Sequence, residues 1–218
     1  MPFPRMLLAA ILVSLLPQAA AHAAVLIEAT KHGEPFRMVV DHERQRALIT
    51  TGRGESLIDL ARGELYLRGP GAIAHKMRIE TPAALGRAAA YRVEPWGPGP
   101  VMAGHATVYH VISHGEEICA EMLVSGWMTP FLRPLVETLD LLEELSGTPR
   151  GYGCGRIPFA IYAAAGWPII AGKLDHLVFE THELRFDYQP PARELALPVH
   201  YETSRPDQVV LEAFAPKP

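Results

Sequence analysis

Histidine is the residue type that first suggests chemistry in this sequence, because ten histidines are spread over 218 residues. His105, His110 and His114 are the most closely spaced. If residues 105–112 form a strand, alternation puts His105 and His110 on opposite faces, and His114 falls in the following turn. A metal site needs ligands that converge on one ion. The spacing therefore predicts no metal site here.

Three further patterns resemble catalytic motifs without completing them. His182-Glu183 begins like a zinc-protease motif, yet Phe186 stands where the second histidine is needed. Residues 151–155 are glycine-rich but lack the Lys-Ser/Thr pair of a phosphate-binding loop. Ser125-Gly126 lacks the upstream glycine of a hydrolase elbow. We predict a non-enzyme with no catalytic residue, metal or cofactor; a hydrolase with an unrecognised site is the alternative.

Apolar and aromatic side chains cluster around the start of a predicted helix, where they would line a cavity for a hydrophobic ligand. The candidate contacts are Met122, Trp127, Met128, Phe131, Leu135 and Trp167. The same residues would be ordinary core in a closed fold, because apolar stripes at helical spacing are mostly packing. Both interpretations stay open at the level of the sequence.

Residues 129–147 form the one long segment with helical periodicity. Thr129 suits the N-cap, Pro130 suits the first turn, and Ser146-Gly147 is a stop signal. The apolar residues recur at steps of three and four and make one stripe, while the acidic residues fall on the other side. An amphipathic helix of this kind needs a sheet beneath it.

Short segments separated by turns predict strands on both sides of this helix. The segments at 25–30, 36–41, 46–51, 56–60 and 65–68 predict an antiparallel meander. The other predicted elements are strands at 75–80, 105–112, 117–125, 159–164, 167–171, 174–188 and 195–201, a short helix at 81–92 and an irregular loop at 95–100. A sheet of about ten strands must curl or close. The predicted fold class is α+β, a mostly antiparallel curved sheet or half-open β-barrel with one amphipathic helix in its concavity.

The first 23 residues have the pattern of a secretory signal peptide. Arg5 is followed by an apolar run at 6–16, and Ala21-His22-Ala23 matches a cleavage site, with cutting expected after Ala23. An uncleaved anchor is the alternative, although the run is too short to span a bilayer. No later segment reaches spanning length. We therefore predict a periplasmic or secreted protein, with residues 24–203 as one domain and 204–218 as a loose tail.

Export changes the interpretation of the two cysteines. In an oxidising compartment Cys119 and Cys154 are expected to pair, bracketing the predicted helix. Two free thiols are the alternative, because sequence alone does not fix their geometry.

The net charge of −4 argues against a nucleic-acid partner, which would need a basic face.

Three stretches resemble a family of uncharacterised bacterial exported domains grouped with the LolA/LolB-like lipoprotein carriers. They are Val39-Val40-Asp41 through Arg46; Leu57-Ile58-Asp59-Leu60 with Gly63-Glu64-Leu65-Tyr66; and Gly166-Trp167-Pro168-Ile169 with Leu195-Ala196-Leu197-Pro198. The resemblance implies a half-open barrel around a helix and a hydrophobic cavity for acyl chains. The family often has a cysteine soon after the glycine that opens its central hairpin, but His105-Ala106-Thr107 follows Gly104 here.

These observations predict an exported, non-enzymatic periplasmic protein that binds an acyl-chain ligand or a lipidated partner in the half-barrel. Burial of acyl methylenes would drive binding, at about 0.8 kcal/mol each. The expected partner is a lipid or lipoprotein. The alternative is an envelope structural or protein-interaction module with a filled core and no ligand.

Overall fold

A computed structural model describes residues 24–69, 73–78, 90–126, 153–155, 157–173 and 176–203. Their elements are β1 (Ala24–Lys31), β2 (Glu34–Asp41), β3 (Arg46–Thr51), β4 (Gly54–Asp59), β5 (Glu64–Arg68), β6 (Ala74–Arg78), β7 (Tyr91–Met102), β8 (His105–His114), β9 (Glu117–Ser125), α1 (Phe159–Tyr162), β10 (Trp167–Lys173), β11 (His176–Tyr188) and β12 (Tyr201–Thr203). The predicted helix at 129–147, the signal segment at 1–23 and the tail at 204–218 lie outside the described residues.

The described strands form a single sheet in the order β12-β6-β5-β4-β3-β2-β1-β11-β10-β9-β8-β7. Two antiparallel meanders, β1–β6 and β7–β11, meet where β1 pairs with β11. Only β12, in the described part, pairs in parallel, alongside β6. The sequence-based prediction of an antiparallel meander over the first strands is confirmed.

The predicted fold class is wrong. The described residues are almost all sheet, the sheet is not closed, and the fold is not an α+β arrangement with a helix in a concavity. The inner face, defined here as the face that carries the larger core, is covered within the described chain by a short segment around α1. Phe159 of α1 lies 5.3 Å from Phe179 and 5.7 Å from Trp167, ring centre to ring centre. Aromatic packing from one short turn therefore supplies cover that was expected from a long helix.

Alternation along the strands gives the sheet two apolar faces. On the inner face, Ile27 pairs with Met38 and Met38 pairs with Ile49, all buried. On the opposite, outer face, Val39 pairs with Leu48 and belongs to a second, smaller buried cluster. Because both faces bury apolar side chains, the sheet needs cover on both sides.

Residues 189–203, named here the C-terminal strap, cover the outer face of the first meander. Leu195 of the strap is buried in the outer cluster. Arg37 lies 2.5 Å from Glu194, and Arg46 donates to the carbonyl oxygen of Leu195 at 3.3 Å. The strap then ends as β12 on the edge of β6. The predicted strand at 195–201 is therefore wrong over most of its length, because these residues pack across the sheet.

Two other local predictions are also wrong. The Pro-rich residues 95–100, predicted as a loop, belong to β7 at the edge of the sheet. An edge strand tolerates proline because one side of its backbone needs no N–H donor. Residues 159–164, predicted as a strand, begin with the helical turn α1 after Pro158.

Candidate functional site

Two of the six predicted ligand contacts fall within the described residues, and both are core. Met122 is 1% exposed and Trp167 is 0% exposed. The indole N–H of Trp167 donates to Thr181 Oγ1 at 3.0 Å, and that hydroxyl donates to the Pro168 carbonyl at 2.9 Å. Trp127, Met128, Phe131 and Leu135 lie outside the described residues. A ligand-binding role for the set therefore stays a prediction.

A disulfide joins Cys119 to Cys154, the pair expected from the sequence. Two more contacts fix the residues around Cys154. The Gly153 N–H donates to the Tyr91 hydroxyl at 2.9 Å, and Lys173 Nζ donates to the Gly155 carbonyl at 2.6 Å. The segment 153–155 is thus attached to β7, β9 and β10.

The histidines singled out from the sequence do not converge. His105 contacts the Leu184 carbonyl at 3.2 Å, and His110 contacts the Val108 carbonyl at 3.1 Å. The His114 ring lies 5.1 Å from the ring of Tyr91. Across the described parts of the chain, no three His, Cys, Asp or Glu side chains form a group that could hold a metal ion.

Two buried carboxylates lie at the ends of hairpin strands. Asp59 accepts from Arg46 Nε and from the Arg62 N–H, each at 3.1 Å. Asp41 accepts from the Arg44 N–H at 2.9 Å, with the Arg44 side chain 3.4 Å away. These contacts close the turns that follow β2 and β4, as Asp does at the start of many turns. Asp41 and Asp59 therefore stabilise the two turns.

Trp96 is one of several large apolar side chains that are exposed among the described residues. Its side chain is 63% exposed, at a bulge of β7 between Pro95 and Gly97. Its ring lies 6.0 Å from the ring of Tyr109 on β8. Sequence reasoning missed it, because residues 95–100 were predicted as an irregular loop. The available signal in the sequence was a tryptophan close to prolines on either side. In the sheet, this tryptophan is exposed to solvent.

Register extends this contact into a row across the outer face of the second meander. Tyr109 pairs with Leu123, and Leu123 pairs with Ile170, all partly exposed. Glu121 lies beside Tyr109 on the next strand and accepts its hydroxyl hydrogen bond. We name Trp96, Tyr109, Glu121, Leu123 and Ile170 the Trp96 face. The C-terminal strap covers the first meander, whereas this row of the second remains partly open to solvent.

The hydrogen bond to Glu121, together with partial burial, raises the pKa of Tyr109 to about 12. The cause is electrostatic: a phenolate would lose the hydrogen bond and repel the carboxylate. Tyr109 is therefore protonated at every physiological pH. The Trp96 face presents two aromatic rings and one carboxylate.

No helix among the described residues is long and apolar enough to cross a membrane.

Comparison with protein-family models and with curated proteins gives no match. Among solved structures, a crystal structure of MucB aligns with 11% sequence identity and a TM-score of 0.36, over 84% of this chain and 60% of the MucB chain. This likeness is too low to carry a conclusion about function. The resemblance of short motifs to LolA/LolB-like carriers stays a prediction from the sequence.

Proposed function

We propose that this chain is an exported, non-enzymatic binding protein of the bacterial envelope that holds a protein partner on the Trp96 face. The observation that carries the proposal is the exposure of Trp96 beside Tyr109, in a protein whose Trp167 and Phe179 are fully buried. Tryptophan and tyrosine are enriched at the energetic centres of protein interfaces. An exposed tryptophan beside a partly exposed tyrosine is a typical anchor for a partner.

The surroundings of Trp96 support docking through side chains. Pro95, Pro98 and Pro100 remove N–H donors from β7, so this edge is a poor template for an added strand. Leu123 and Ile170 offer apolar surface next to the rings of Trp96 and Tyr109. A partner would therefore lie on the face of the sheet.

Two observations support export to the periplasm. The first 23 residues have the charge, apolar run and small residues of a signal peptide. The Cys119–Cys154 disulfide fits an oxidising compartment. The extracytoplasmic location and the binding role are parts of one proposal.

A hydrophobic ligand or lipidated partner, held by Trp127, Phe131 and Leu135, is the rival hypothesis from the sequence. These three residues lie outside the described chain. Trp167, grouped with them in the sequence, has no exposed surface and uses its N–H on Thr181. This burial favours the module with a filled core.

The test compares affinity capture from envelope extract of the native host by the wild-type protein and by Trp96→Ala. Val199→Ala is the matched control, because Val199 is 86% exposed but lies on the C-terminal strap. We expect a protein retained by wild type and by Val199→Ala and lost with Trp96→Ala. With that protein purified, Trp96→Ala should weaken binding by about thirtyfold, the effect of a 2 kcal/mol hot spot.

Equal retention of all proteins by wild type and Trp96→Ala would overturn the proposal. Native mass spectrometry of the same purified protein checks the rival. A co-purified lipid, displaced when Trp127 or Phe131 is replaced, would favour the hydrophobic-ligand hypothesis instead.

A further inference from the structure

Three tyrosines on the outer face of the sheet each interact with a carboxylate. Tyr66 donates to Glu64 at 2.7 Å, and Tyr188 donates to Glu194 at 2.9 Å. At the third pair, the interaction with Glu121 is the largest cause of the raised pKa of Tyr109. The first pair lies on β5, the second joins the end of β11 to the C-terminal strap, and the third lies on the Trp96 face.

The first two pairs each hold a cation of this chain. Lys76 Nζ lies 2.6 Å from Glu64 and 5.9 Å above the centre of the Tyr66 ring. The side chain thus joins an ion pair to a contact with an aromatic face. Cations favour ring faces because the π-system is electronegative there.

Arg37 repeats the arrangement at the second pair. Its guanidinium lies 2.5 Å from Glu194 and 5.6 Å from the centre of the Tyr188 ring. One of its N–H groups also donates to the Tyr188 hydroxyl at 3.0 Å. The same recognition unit therefore accepts both lysine and arginine.

The third pair differs. No Lys or Arg of the described residues contacts Glu121 or lies over the Tyr109 ring. The tyrosine pKa values reflect this difference. Burial and the carboxylate raise the pKa of Tyr66 and Tyr188, while the charges of Lys76 and Arg37 oppose the rise. Tyr109 has no such opposing charge, and its pKa rises to about 12.

We propose that Trp96, Tyr109 and Glu121 bind a lysine or arginine side chain supplied by the protein partner. The inference rests on the proposed function and specifies its partner chemistry. Trp96 adds a second ring, and tryptophan is the strongest cation–π acceptor. Glu94 lies on the row of Glu121, since both flank Val111, and its charge is shared with Arg92, whose Nε lies 3.7 Å from it.

The surrounding row defines the rest of the partner segment. Leu123 and Ile170 continue from Tyr109 toward β10, at the 4.7–4.9 Å strand spacing typical of sheets. An apolar side chain two residues from the cation, on the same side of an extended segment, would reach them. The partner thus presents a basic residue with an apolar neighbour.

The test uses the full chain labelled with ¹⁵N-tryptophan and follows the indole N–H signals by NMR, with Trp96→Phe assigning the signal of Trp96. The probes are acetylated, amidated Gly-Arg-Ser-Leu-Gly, its lysine version, and a version with citrulline, the neutral isostere of arginine. We expect the arginine and lysine peptides to shift the Trp96 signal at millimolar concentration and citrulline to bind roughly fivefold or more weakly. Added salt should weaken binding of the charged peptides.

Glu121→Gln is the decisive variant, and Glu117→Gln is its control, because Glu117 is an exposed carboxylate on the same strand. Glu121→Gln should lower the affinity for the arginine and lysine peptides to that of the citrulline peptide. Glu117→Gln should leave these affinities unchanged. Equal binding of arginine and citrulline peptides, or no shift of Trp96 with any peptide, would overturn the inference. A captured partner sensitive to Trp96→Ala but not to Glu121→Gln would refute the cation site and leave the proposed function standing.

Discussion

Arg37 on β2 lies 2.5 Å from Glu194 and thereby ties the C-terminal strap to the outer face of the sheet. Both side chains are largely shielded from solvent, at 29% and 13% exposure. We expect Arg37→Ala to lower the free energy of unfolding by about 1–3 kcal/mol, because the Glu194 carboxylate loses a charged partner. Urea denaturation measures the change.

The matched control for Arg37 is Arg53→Ala. Arg53 lies 3.8 Å from Glu34, and both side chains are about half exposed. Exposed pairs contribute little, so the expected change is below about 0.5 kcal/mol. Limited proteolysis should also cut the strap faster in Arg37→Ala only. Equal stability of the two variants would show that Arg37 does not anchor the strap.

The two described tryptophans should respond differently to truncation. Trp167→Ala is expected to cost about 3–5 kcal/mol, because it opens a cavity in the core. Trp96→Ala should cost about 1 kcal/mol or less, since Trp96 is 63% exposed and its ring contact within the described residues is with Tyr109. Chemical denaturation of both variants checks the difference. A large loss with Trp96→Ala would make that residue structural.

Thr181 bridges the Trp167 N–H and the Pro168 carbonyl inside the core. Thr181→Val keeps the shape but leaves the indole N–H without its acceptor. We expect a loss of about 1–3 kcal/mol by thermal or urea unfolding. Thr181→Ser restores the hydroxyl and should recover part of the loss. If Thr181→Val and Thr181→Ser have the same free energy of unfolding, the hydrogen bonds of Thr181 make no net contribution to stability.

The disulfide closes a loop with a sequence separation of 35 residues. On the chain-entropy account, removing it with Cys119→Ser and Cys154→Ser together should cost roughly 3–4 kcal/mol. Calorimetry with and without reductant measures the effect. Reductant should destabilise wild type and leave the double variant unchanged. Similar melting of wild type in both conditions would argue against a stabilising role.

Glu64 should make the edge of the sheet sensitive to acid. Hydrogen bonds from Lys76 and Tyr66 lower the pKa of Glu64 from its ordinary value of 4.5. A depressed folded-state pKa adds stability above the unfolded pKa, and this stability is lost as the pH falls through the folded pKa. Glu64→Gln should therefore be less stable than wild type at pH 7, by about 1 kcal/mol or less, and equal to it near pH 2. A difference that persists at pH 2 would contradict this assignment.

The sequence predicts the first meander well because each of its strands is short and bounded by a turn. β7 was missed for the opposite reason: its prolines resemble a loop, and only the position at the sheet edge makes them compatible with a strand. The strap was missed because Leu195 is apolar like a strand residue, yet it packs on the outer face. Local patterns do not specify which surface a segment will cover.

The candidate site was less predictable than the fold. Tyr109 and Glu121 meet only through the register of β8 on β9, which includes a bulge. Trp167 resembled a ligand contact in sequence, and its hydrogen bond to Thr181 becomes visible only in three dimensions. Exposure of Trp96 is likewise a property of the assembled sheet. The types of these residues in the sequence therefore indicate neither their contacts nor their exposure.

Because β1 pairs with β11, the first strand of the described residues completes its pairing only when one of the last has been made. The far edge at β6 is completed later still, when β12 arrives. Such non-local pairing slows folding. The sheet of the described residues is therefore complete only after nearly all of these strands have been synthesised, although the hairpins of β1–β6 can pair locally before then.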